Sequence, residues 1–293
     1  MTYNFFTTAI VCFLLSSSIN LFAQKDFLGK AYYETKTTID MSSFGGGQLS
    51  EERKKQMAER MKGALEKTYI LIFNQSESLY KEEERLEAPK QGGGMRFAMM
   101  NVSGGAYYKN LKTQQVLQEN EFFGKQFLIK DSLPKLDWKL ESETKTIGQY
   151  ICFKATTLIK KSSARDLSNF MRRPPENEKS KDSSDIISDE NNKDKVVVTA
   201  WYTPQIPVNQ GPDNYWGLPG LILEVSSERT TILCSKIILN PSNKESIRVP
   251  SKGKEVTQEE YDAIVKKKSE EMADMFRSRR GGGSDSRGGG GRR

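Results

Sequence analysis

Few side chains in this sequence are able to do covalent chemistry, and their scarcity narrows the reading. The 293 residues contain no histidine. That removes Ser-His-Asp and Cys-His nucleophile pairs, histidine zinc sites and imidazole proton transfer together. Three cysteines occur, at 12, 152 and 234. Cys12 lies in an apolar N-terminal run, so Cys152 and Cys234 are the pair that a processed chain keeps. In an oxidising compartment they are able to bridge, or they pack as two small apolar thiols; the sequence leaves both open. Met95, Met99 and Met100 could offer soft thioethers to a cuprous ion, but no cysteine or second methionine cluster stands near them. The acidic run Lys81-Glu82-Glu83-Glu84 lacks the defined cage an oxygen-liganded cation needs and reads as a solvated edge. No carboxylate pair stands out from the many surface ones. The expectation is a protein that binds rather than catalyses, with no metal and no cofactor.

The most distinctive residues then lie between 201 and 220. Pro204, Pro207, Pro212 and Pro219 alternate with Gly211, Gly217 and Gly220, and Trp201, Tyr202, Tyr215 and Trp216 crowd around them. Proline pre-sets φ, so the segment would lose little entropy on meeting a partner. Pro219-Gly220 suits the central positions of a type II turn, with glycine taking the positive φ. Leu221, Leu223 and Val225 are then expected to enter the core on one face. The segment is either a stiff corner whose aromatics complete the core or a projecting recognition loop. Trp201, Tyr202, Pro204, Pro207, Gly211, Pro212, Tyr215, Trp216, Gly217, Leu218, Pro219 and Gly220 form the candidate contact surface.

The elements that must position this loop read as strands. Residues 30–40, 68–80, 105–111, 196–203, 221–227 and 230–240 are rich in aromatic and β-branched side chains, and 114–131 and 135–159 are each long enough for a hairpin. Leu136, Trp138 and Leu140 alternate with Asp137, Lys139 and Glu141, which predicts one wet face. Gly148-Gln149 is the expected turn, with Ile151, Phe153 and Ala155 on one side of the next strand and Tyr150 and Cys152 on the other. Short connections without crossover helices predict a mainly β, antiparallel meander curled into a barrel-like or half-barrel sheet. Two peripheral helices are expected, one after Ser50 with Met57, Met61 and Leu65 on a stripe. The other follows the capping box Thr257-Gln258-Glu259-Glu260 and carries Tyr261, Ile264, Val265, Met272, Met275 and Phe276.

The ends of the chain bear on where it works. Residues 1–23 read as an export signal cleaved after Ala23, delivering a single β-rich domain over 24–276 to the periplasm. Residues 90–105 read as a glycine-flanked loop, and 161–195 as a disordered, mixed-charge insertion. Residues 277–293 form a disordered Arg/Gly-rich tail that carries +5 of the formal +7 charge. The body is therefore close to neutral, which argues against a nucleic-acid partner and leaves anionic envelope surfaces as a contact for the tail.

Residues 136–157 and the run "AWYTPQIPVNQGPDNYWGLPGLILEVS" resemble the GLPGLI family of exported Gram-negative bacterial proteins. The motif stands intact as Gly217-Leu218-Pro219-Gly220-Leu221-Ile222, with Trp138, Ile147-Gly148, Tyr150, Cys152 and Lys154-Ala155 fitting the pattern. The resemblance implies no catalytic residues. It implies a periplasmic accessory or binding protein working with an outer-membrane TonB-dependent or related β-barrel receptor. Two alternatives stay open: a periplasmic carrier holding an apolar ligand inside a curved sheet, and, more weakly, an envelope hydrolase.

Overall fold

The computed structural model describes residues 27–38, 50–83, 104–160, 195–243 and 245–281. The expected export signal, the methionine loop, the insertion up to Asn191 and beyond as far as 194, and the tail after Gly281 lie outside them. In chain order the elements are β1 (Gly29–Thr37), α1 (Glu51–Leu65), β2 (Glu66–Phe73), β3 (Glu77–Glu82), β4 (Gly104–Asn110), β5 (Gln115–Phe122) and β6 (Lys125–Ser132). They continue with β7 (Lys139–Ile147), β8 (Tyr150–Lys160), β9 (Lys195–Thr203), β10 (Leu221–Ser227), β11 (Thr230–Leu239), β12 (Lys254–Val256) and α2 (Gln258–Gly281).

The twelve strands form one sheet in the order β12-β6-β5-β4-β3-β2-β1-β11-β10-β9-β8-β7. Every pairing is antiparallel except that of β12 with β6. Two five-stranded meanders, β2–β6 and β7–β11, thus meet on β1 as a shared seam. Chain geometry then requires the sheet to bend. Ten strand spacings separate β6 from β7 in this order, about 48 Å if the sheet were flat at about 4.8 Å per step. Yet only the six residues 133–138 connect them, and such a stretch reaches roughly 25 Å at most. The sheet is therefore curled, as expected, and it is not closed.

The concave side holds the main apolar cluster, in which Ala31, Tyr33, Leu71, Phe73, Ala155, Val198, Ala200, Leu221, Ile222 and Leu223 are all but inaccessible. Near the β6 edge, Tyr261 and Val265 of α2 pack on Phe122, Phe127, Ile129 and Val256. A third cluster, Leu79, Tyr108, Leu117 and Leu128, packs against Ile247. The capping box forms as expected: Thr257 N–H donates to Glu260 Oε2 at 2.9 Å, and Glu260 N–H to Thr257 Oγ1 at 3.2 Å. The stripe Met57 and Met61 of α1 lies outside the described side chains.

Local departures from the sequence expectations have local causes. The stretch 68–80 is a hairpin rather than one strand, because Asn74 Oδ1 accepts the N–H groups of Ser76 (2.8 Å) and Glu77 (2.7 Å) and turns the chain. Trp138 precedes β7, and Leu140 is 56% exposed, so the expected dry face of 136–140 is broken at the strand's start. In β8 the expected alternation is broken: Cys152, Ala155 and Thr157 are buried, whereas Ile151 and Leu158 are exposed. Glu82 is paired with Lys67 at 2.8 Å instead of being freely solvated. Helix α2 continues to Gly281, past Phe276 where the folded part was expected to stop.

Candidate functional site: the loop between β9 and β10

β9 and β10 pair as Thr203↔Leu221, so the intervening 204–220 leaves and re-enters the sheet at one point. Its first half opens on a turn at 204–205 and then alternates: Ile206, Val208 and Gln210 are buried, while Gln205, Pro207 and Asn209 are exposed. That period-two pattern is a strand's, but the partners are loop backbone. Leu221 N–H donates to Ile206 O at 3.0 Å, Gly217 N–H to Asn209 O at 3.1 Å, and Ile222 N–H to Gln210 O at 3.1 Å. The loop turns its apolar side into the concave core, where Ile206, Val208, Tyr215 and Leu218 join the main cluster.

The turn at its end differs from expectation. Gly220 does not take a positive φ; Gly217 does, at +93°. Gly220 N–H donates to Leu218 O at 2.8 Å, an i→i+2 bond that fits the fixed φ of Pro219. The i→i+3 bond of a type II turn is lost because Leu221 N–H is spent on Ile206 O. Glycine is still required at 220, since a Cβ there would lie 2.2 Å from Thr203 O. Entry into β10 also differs: a register shift between Ile222 and Glu224 lets Leu221, Ile222, Leu223 and Val225 all be buried.

Two clamps fix the loop from outside. Trp138 Nε1 donates to Trp216 O and Trp216 Nε1 to Pro134 O, both at 2.8 Å, so the β6–β7 connection and the loop hold each other reciprocally. From the sheet, Lys109 of β4 is fully buried and its Nζ donates to Gly211 O (2.7 Å), Asp213 O (2.7 Å) and Tyr215 O (3.1 Å). Burial pushes the Lys109 ammonium down to about 7, against a smaller opposing pull from Asp213. Tyr33 Oη donates to Ile222 O at 2.7 Å, and burial holds its phenol well above the usual tyrosine range.

The twelve candidate residues therefore separate. Tyr202, Gly211, Pro212, Tyr215, Leu218 and Gly220 are buried; Pro204, Pro207, Gly217 and Pro219 are exposed; Trp201 and Trp216 are half-buried. The loop lies against the sheet and does not project its tyrosines, as the recognition reading had expected. Along its outer edge runs an open groove of about 450 Å³, lined by residues that include Leu136, Trp138, Leu140, Leu218 and Pro219. Lys109, which donates three hydrogen bonds to the loop backbone, was missed by the sequence reading. Its only signal was parity with Tyr107 on β4, which puts both on the concave face.

Cys152 and Cys234 are free and buried. Burial pushes their thiols up to about 11 and about 12, which leaves little thiolate at neutral pH. Trp201 lies under Lys145 Nζ at 4.3 Å from its ring centroid, and Lys145 pairs with Glu224 at 2.7 Å. Among the described residues no group of three or more His, Cys, Asp or Glu side chains is placed to hold a metal ion.

Residues 138–224 match a family described as "Protein of unknown function (Porph_ging)", a span that contains β9, the loop and the start of β10. No curated protein matches the chain. Among solved structures, two crystal forms of PNGF-II are similar, both with a TM-score of 0.44. The C2 form is 15% identical over 82% of this chain and 32% of its own; the P21 form is 14% identical over 82% and 33%. The chain spans about a third of the length of those proteins.

Proposed function

We propose that this chain is a non-enzymatic accessory or binding protein of the cell envelope, working in the periplasm with an outer-membrane β-barrel receptor of the TonB-dependent or a related type. The observation that carries the reading is the fixed outer edge of the loop. Pro204, Pro207, Gly217 and Pro219 are exposed, beside the half-buried Trp216, on a backbone held by Lys109, Trp138 and the buried Ile206, Val208 and Leu218. A surface organised before contact gives up little entropy on binding. The adjoining groove adds exposed Leu140 beside Trp138 and Pro219, the mixture of apolar anchor and aromatic that protein contacts favour. The export signal expected from the sequence of residues 1–23 and the GLPGLI resemblance support the envelope setting.

A photo-crosslinking residue placed at Pro219 or Leu140 in cells making the full chain tests the reading. Expected is an adduct identified by mass spectrometry as an outer-membrane β-barrel, diminished by Trp216→Ala. Adducts with none of these proteins at either position would refute it.

A further inference from the structure

The contact of Lys109 with the loop combines two features that oppose each other. Its amine sits wholly inside the protein and, among the described residues, donates to the carbonyl oxygens of Gly211, Asp213 and Tyr215 and to no carboxylate. Beside it the loop buries other polar groups at a loss. Gln210 is fully inaccessible, and neither end of its amide has a hydrogen-bond partner; Asn214 Oδ1 is likewise buried and unpaired. Ser78, the cross-strand neighbour of Lys109, is fully buried with its Oγ unpaired. Closing the loop brings Ile206, Val208, Tyr215 and Leu218 out of water, while these polar groups favour the reverse. Such a balance is what a two-state element requires.

We propose that the 204–220 loop is a proton-coupled latch: opening it lifts Lys109 into water, where the amine takes up a proton, so the loop opens more readily as the pH falls. The inference concerns the loop alone and stands whether or not a membrane barrel is its partner. The sign follows from linkage. In the closed state burial holds Lys109 down to about 7, whereas a lysine in water titrates near about 10.4. Between those limits the closed form carries a neutral amine and the open form an ammonium. Each unit of pH lost in that window therefore favours opening by about tenfold. Below the lower limit both forms are charged and the dependence levels off.

Among the described residues, the groups facing Lys109 do not reverse this. Asp213 from the loop attracts the ammonium, but less strongly than burial opposes it. Tyr107 on the same strand presents its ring at 6.0 Å. The paired neighbours Ser78 on β3 and Val116 on β5 carry no charge. The three carbonyls accept all three N–H groups of an ammonium but only two from an amine, so protonation in place is eased without being made as favourable as in water.

The three tryptophans make the test direct. In the full chain labelled with 5-fluorotryptophan, ¹⁹F saturation transfer reads the open population at Trp216 between pH 6 and 9, with Trp201 on β9 as the internal control. Expected is an open population that rises by up to tenfold per unit as the pH falls from 9 and then levels near 7. The ¹³Cε signal of Lys109 should titrate at the pH of that plateau, and Lys109→Met should abolish the dependence. An open population that ignores pH, one that rises with pH, or a Lys109 midpoint near 10 would overturn the latch. If Lys109→Met does not fold, the two wild-type titrations decide alone.

Discussion

The two motif glycines serve different physical needs. At Gly220 the obstacle is the Thr203 carbonyl, 2.2 Å from where a Cβ would sit, and backbone cannot step aside as a side chain tip can. At Gly217 there is room, and only the φ of +93° is demanding. Gly220→Ala should therefore cost about 3 kcal/mol or more, and Gly217→Ala about 1–2 kcal/mol. Thermal denaturation of the two variants checks the order, which is the reverse of what positive φ alone would give. The thiols make a second test. With Cys152 and Cys234 pushed up to about 11 and about 12, the charged, nucleophilic form is present only well above neutrality. Native protein should resist iodoacetamide at pH 7.5 and become doubly labelled in denaturant, as mass spectrometry would read; rapid native labelling would contradict the burial seen here. Residue type showed that glycine and proline mattered at 217–220. It could not show which glycine turns and which merely makes room, because that depends on where Thr203 lies.

Helix α2 rests on the sheet through few side chains, chiefly Tyr261 and Val265 against Phe122, Phe127 and Ile129. Its capping box holds the first turn on β12, and Thr257→Ala removes the hydroxyl that accepts Glu260 N–H. A loss of about 1 kcal/mol is expected. It should appear in hydrogen exchange as faster opening of 258–265 with β1 and β2 unchanged. The reciprocal indole bonds bear on the loop instead. Trp138→Phe keeps an aromatic ring, though a smaller one, and deletes the donor to Trp216 O, for an expected loss of about 1 kcal/mol or more. At this scale the sequence was readable wherever one signal dominated: the Gly148 turn, the capping box, and strands whose apolar residues alternate. It was unreadable where two signals competed. Asn74 broke a run of otherwise continuous strand composition, and Ile206-Pro207-Val208 alternated like a strand inside a proline-rich loop.

The curl of the whole sheet follows from strand order joined to the shortness of 133–138, and order was not available to a reading of single segments. The meander was legible because each hairpin is local. That β7 begins at the far edge, leaving Lys109 beneath the loop, depends on a pairing across the chain. A lengthened 133–138 tests the constraint: six added Gly/Ser residues should relax the Trp138–Trp216 contact and lower the unfolding temperature, while β2–β6 pairing persists. Equal stability would mean that the edges are held together by other means. The seam strand has one more consequence. Gly29 on β1 faces Leu239 on β11, so the earliest described strand finds half of its pairing only when nearly the last has been made. Such distant pairing makes folding slow, and during that wait β1 offers a bare, aggregation-prone border. A chaperone that covers a single extended segment until synthesis is almost finished is the help this topology calls for.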